Sequence, residues 1–72
     1  MPRDAHTVAR INRAVSDCVE EAYHSDAPLS VVARDADSYR DNGEWRPEEV
    51  SEFECAVLAI LREVYRVQRD TN

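Results

Sequence analysis

The stretch PEEVSEFECAVLAILREVYRVQR, residues 47–69, constrains this chain more than any other. Its middle, residues 55–61, is apolar without a break. Val50, Phe53, Val57, Ile60 and Val64 recur at alternating steps of three and four, which sets them on one helical face. Leu58, Leu61 and Tyr65 widen that face into a second stripe, and Cys55, Ala56 and Ala59 add small side chains beside it. Pro47 suits the first helical position, where a missing N–H costs nothing. Glu48 and Glu49 then meet the positive end of the helix dipole, and Arg62, Arg66 and Arg69 complement the other end. Trp45 and Val50 occupy the two places of a hydrophobic staple if Arg46 is the N-cap, although arginine is a poor capping residue. A helix apolar nearly all round in its middle has to be covered on several sides. In 72 residues that cover comes from two further helices or from a second copy.

The preceding sequence supplies two more helical patterns. Val8, Ile11, Val15, Cys18 and Ala22 form a three-four series, with Val19 and Tyr23 beside it. Asp4 and Thr7 are its candidate caps. Ser25-Asp26-Ala27-Pro28 closes this helix, and Asp26 is the expected cap of a second one with Pro28 in its first turn. Leu29, Val32, Ala36 and Tyr39 give that second segment an apolar face, thickened by Val31 and Ala33. A strand through residues 29–33 is the alternative. Asp41-Asn42-Gly43 is a stop and turn. With a single glycine and three prolines, hairpin-rich β architecture is disfavoured. The expectation is a single all-α domain over residues 1–72. It is a small three-helix bundle with helices at about 4–24, 28–41 and 47–69. The long C-terminal helix is central, and dimerisation is an open way of completing its cover.

Charge layout favours one topology. The first helix is basic at its start (Arg3, Arg10, Arg13) and acidic at its end (Asp17, Glu20, Glu21), which opposes its own dipole. The last helix is acidic early (Glu48, Glu49, Glu52, Glu54) and basic late. Side by side and parallel, the two match opposite charges, as an up-down-up bundle requires. The last helix also matches a copy of itself placed antiparallel. Exposed pairs contribute only about 0–1 kcal/mol each, so they bias topology without supplying stability.

Net charge is −6, from 15 acidic residues against 9 basic ones, all arginine. Direct binding to nucleic acid needs a basic footprint and is therefore not expected. No segment resembles a signal peptide or a membrane span, so a cytoplasmic chain without membrane contact is expected. Cys18 and Cys55 both fall in helical patterns and are expected as reduced core thiols rather than a disulfide.

Several motifs have simpler structural readings. Glu21 and His24 have the Glu-x-x-His spacing used in di-metal helical sites, but it occurs once and at a helix end, so no metal or cofactor is assigned. Cys18, Cys55, His6 and His24 lack the local pairing of zinc ligands. A Cys–His nucleophile lacks an orienting third group. Ala36-Asp37-Ser38-Tyr39 resembles the Asp-Ser-Leu around the modified serine of acyl carrier proteins, yet that serine opens a long helix whereas here Asp41-Asn42-Gly43 breaks the chain. A helix-turn-helix running from Leu29 into the last helix would drive Glu48, Glu49, Glu52 and Glu54 against phosphate. No catalytic constellation stands out, and an enzyme is not expected.

What remains is the acidic stretch from Asp35 to Glu54, with Trp45 inside it. Most such runs are solvated surface. As a functional surface, Asp41, Glu44, Trp45, Glu48, Glu49 and Glu52 are the candidate partner-binding residues, with Trp45 either staple or interface anchor. The expected role is an acidic helical protein–protein interaction or regulatory module, an adaptor or complex subunit. Its expected partner is a protein with a basic surface, and the chain itself is expected to be a homodimer. The alternative is an acidic decoy that inhibits a nucleic-acid-binding protein, as small phage-encoded inhibitors do. A metal-binding helical dimer ranks last.

Overall fold

The computed structural model describes residues 5–43 and 45–71, with side chains up to residue 66. It contains three helices, α1 (Ala5–Tyr23), α2 (Pro28–Asn42) and α3 (Pro47–Thr71), each packed against the other two. This is the all-α three-helix bundle that the apolar periodicity implies. The segment at 29–33, for which a strand was the alternative, is helical.

The boundaries have local causes. Asp4, one candidate cap of α1, lies outside the described residues, and Thr7 lies inside the helix. Before α2 the N-cap falls on Ala27, not Asp26, and no side chain caps the helix. Instead Ser25 Oγ accepts the Ala27 N–H at 3.0 Å, and the Ala27 carbonyl accepts from Ser30 and Val31. Pro28 opens the helix in its preset φ. Gly43 ends it with φ of 78°, the left-handed conformation that side chains resist. At α3 the Arg46 carbonyl accepts from Glu49 and Val50, so Arg46 is the N-cap. Its weakness as a cap is offset by Glu49, whose Oε1 accepts the Arg46 backbone N–H at 3.0 Å. This is the returning half of a capping box.

One core holds the bundle. Ile11, Ala14, Val15, Cys18 and Ala22 come from α1, and Val31, Val32 and Ala36 from α2. Trp45 joins from the connection, and α3 contributes Val50, Phe53, Val57 and Leu61. The buried stripe of α3 therefore steps to Leu61, leaving Ile60 42% exposed. A strict three-four alternation tracks a 3.5-residue repeat, which needs supercoiling. A short helix of 3.6 residues per turn drifts, and the drift favours Leu61 over Ile60. Val8 and Leu29, expected in the core, are exposed because each lies in the first turns of its helix, at an end of the bundle. Cys55, also expected inside, points to solvent.

Ion pairs between helices fix their directions. Arg10 near the start of α1 reaches Glu49 near the start of α3, so those helices run parallel. Arg34 of α2 pairs with Glu21 near the end of α1, and Arg40 near the end of α2 pairs with Glu54 of α3. The 25 residues of α3 span about 37 Å at 1.5 Å per residue, against about 28 Å for the 19 residues of α1. Starting level with α1, α3 must run past its partners.

Candidate functional site

Two surfaces concentrate unusual chemistry, one at each end of the bundle. At the first end, Trp45 is 6% exposed and Glu49 is also 6% exposed. Trp45 stacks on Tyr39 at 4.3 Å with the rings 15° apart, and Phe53 meets both rings edge-on. The Arg10 guanidinium lies 5.4 Å from the Trp45 ring centre and 3.3 Å from Glu49. Arg10 Nε is buried without a hydrogen-bond partner among the described residues. Trp45 and Val50, both buried, hold the staple positions that flank the N-cap.

Of the six residues expected to form a partner surface, then, Trp45 and Glu49 are committed to the fold. Asp41, Glu48 and Glu52 are exposed at this same end. Glu44 lies outside the described residues. The carboxylates thus split between one that locks a helix terminus and others that present charge to solvent.

At the second end a groove of about 320 Å³ opens between α2 and α3, lined by Pro28, Leu29, Leu58, Leu61, Arg62 and Tyr65. Leu29 is 69% exposed on its rim. The groove lies where the second stripe of α3 meets the start of α2 and is only half sheathed. Leu58, Leu61 and Tyr65 were legible as that stripe, but the part played by Leu29 was not, since its spacing also fits a core face.

The remaining candidate sites have structural partners. Glu21 is ion-paired with Arg34, and the His24 ring meets Tyr23 edge-on at 5.2 Å. Among the described residues, no three histidine, cysteine or acidic side chains converge as a metal site would need. Cys18 is buried and its thiol is pushed up to about 12, first by burial and then by its hydrogen bond to Asp35. Such a thiol stays protonated at neutral pH and is not a thiolate nucleophile. Tyr39 is raised in the same way, by burial and then by the Asp35 charge. Among the described residues no helix is long and apolar enough to cross a membrane.

No protein-family model matches the chain, and neither a curated protein nor a solved structure shows significant similarity to it.

Proposed function

We propose that this chain is a non-catalytic protein–protein interaction module, a cytoplasmic adaptor or regulatory subunit that works as a homodimer. The observation that carries this reading is the incomplete cover of α3. Ile60 and Tyr65 stay exposed, and Leu29 stands over an open apolar groove. So small a domain has little apolar area to spare, and leaving this much uncovered points to a partner. Asp41, Glu48 and Glu52 add a negative end that steers encounter with a basic surface.

The test is light scattering across concentration, combined with capture from host extract at low and high salt. A mass that rises with concentration supports the reading. A chain that stays monomeric throughout and retains nothing at either salt overturns it.

Exposed carboxylates at one end also support a second reading, a decoy that occupies a nucleic-acid-binding protein. Its affinity for that protein would fall steeply with salt and with charge reversal at Glu48 and Glu52. Glu49 is unsuitable for that test, because it is buried and its loss would disturb the fold.

A further inference from the structure

Behind its core stripe, α3 carries a second periodic series. Glu48, Glu52, Cys55, Ala59, Arg62 and Arg66 follow one another at steps of four and three, and all six are exposed. This is the 3.5-residue spacing of a coiled-coil seam, here on the face turned away from α1 and α2. Its members are symmetrically placed. Glu48 and Arg66 lie nine residues either side of Val57, Glu52 and Arg62 five, Cys55 and Ala59 two. Each acid therefore has an arginine at the mirror position, and the centre holds two small side chains.

The geometry points to a second copy of this chain as the occupant of this face, with the two α3 helices antiparallel about a two-fold axis at Val57. This rests on the interaction-module reading and identifies the basic surface that the acidic end meets. That surface is the C-terminal half of α3 in the second copy. In this register Glu48 faces Arg66, Glu52 faces Arg62 and Cys55 faces Ala59, each pair formed twice. The overlap from residue 48 to 66 spans about 27 Å of helix. Small residues at its centre let the axes approach to about 8 Å, the near end of the range for packed helices. Leu58 and Tyr65 border the seam, so the groove beside them becomes part of a continuous contact.

The helix dipole alone does not account for this pattern. Its influence is confined to the first and last turns, whereas Arg62 stands nine residues before the end of α3 at Thr71. Nor does a parallel pair, which would set Glu52 against Glu52 and Arg62 against Arg62.

Sedimentation equilibrium of the full chain from micromolar to millimolar concentration tests this. Glu52→Arg and Arg62→Glu are each expected to weaken association roughly tenfold, since every substitution acts at both symmetric sites. The double variant restores it. Ala59→Arg, exposed in the free chain, is expected to leave helicity by circular dichroism unchanged and to hold the chain monomeric. A dimer that survives Ala59→Arg, or a double variant no better than the singles, overturns the register while leaving self-association standing. Glu52→Gln strengthening the dimer overturns it in favour of parallel helices, where the neutral side chain would relieve Glu52 against Glu52. A wild-type chain monomeric at millimolar concentration removes the register and the homodimer together.

Discussion

The Glu49 carboxylate closes the N-terminus of its own helix by accepting the Arg46 backbone N–H at 3.0 Å. Its other oxygen lies 3.3 Å from Arg10 on α1, so one buried side chain both starts α3 and sets it parallel to α1. Glu49→Ala removes both contacts and strands Arg10 Nη2 against Trp45. The Arg10 side chain is about one-third exposed, which moderates the loss to about 2–3 kcal/mol. In a domain of this size that lowers Tm by about 10–20 °C. Glu49→Gln keeps an acceptor for the Arg46 N–H and is expected to cost only about 1 kcal/mol. Thermal melts followed by circular dichroism check the order. Equal losses in the two variants would show that the charge alone matters and that the cap does not.

Trp45 joins the two connections that matter most, since it stacks on Tyr39 at the end of α2 and meets Phe53 at the start of α3. Phe53 is fully buried at the centre of this group. Trp45→Ala is expected to cost about 3–5 kcal/mol, as large aromatic truncations in cores do. Total stability for 72 residues is only about 4–11 kcal/mol, so this variant is expected to be largely or partly unfolded at 37 °C. Trp45→Phe keeps a ring in the stack and is expected to lose about 1–2 kcal/mol. Urea denaturation of both variants measures this. A Trp45→Ala chain with a near wild-type midpoint would mean that Trp45 is a surface anchor in solution.

These two residues also show what was legible in the sequence. Pro47, two glutamates and the Trp45–Val50 spacing announced where α3 begins, because capping is local chemistry read within five residues. The parallel arrangement of α1 and α3 was legible from opposed charge gradients, and Arg10–Glu49 is one pair formed that way. Burial of individual side chains was less legible, because it depends on what lies across the bundle. Ile60 and Leu61 are equally apolar, and only the positions of α1 and α2 decide which is covered. Cys55 lies within an apolar run and still faces solvent, for the same reason. Asp26 lost the capping position to Ala27 because Ser25 turns the chain first. The acidic stretch was visible as composition. That Glu49 would turn inward while Glu48 and Glu52 stay out required the helix phase.

Gly43 holds the only left-handed backbone among the described residues, at φ of 78°. A Cβ there would meet nothing within 4 Å, so the cost of Gly43→Ala is conformational and not steric against neighbours. It is expected to be about 1 kcal/mol. Gly43→Asn is expected to cost roughly half that, since asparagine tolerates this region and serves at helix C-termini. Urea midpoints of the two variants, at an unchanged m value, test it. A Gly43→Ala chain as stable as wild type would indicate that α2 ends differently in solution.

The two thiols report the fold from opposite sides. In the single chain Cys55 is exposed and Cys18 is buried, so at concentrations too low for self-association a disulfide-exchange reagent is expected to label one thiol at once and the second only as the bundle opens. Alkaline stability follows from the Cys18 thiol. Its folded pKa stands at about 12, raised above the ordinary 9.0 by burial and by donation to Asp35. Between those values the unfolded chain gives up the proton and the folded chain keeps it, so the folded state binds more protons and stability falls as pH rises. The contribution is intact below pH 9 and is lost progressively toward pH 12, with a slope of at most about 1.4 kcal/mol per pH unit for one group. Tyr39, raised for the same reasons, adds to the loss at the upper end. Cys18→Ala is expected to flatten the profile from pH 9 upward, and Tyr39→Phe to flatten only its last part. Urea titrations at successive pH values measure both. A wild-type slope unchanged in Cys18→Ala would mean that the thiol reaches water in the folded chain, and rapid labelling of both cysteines would say the same.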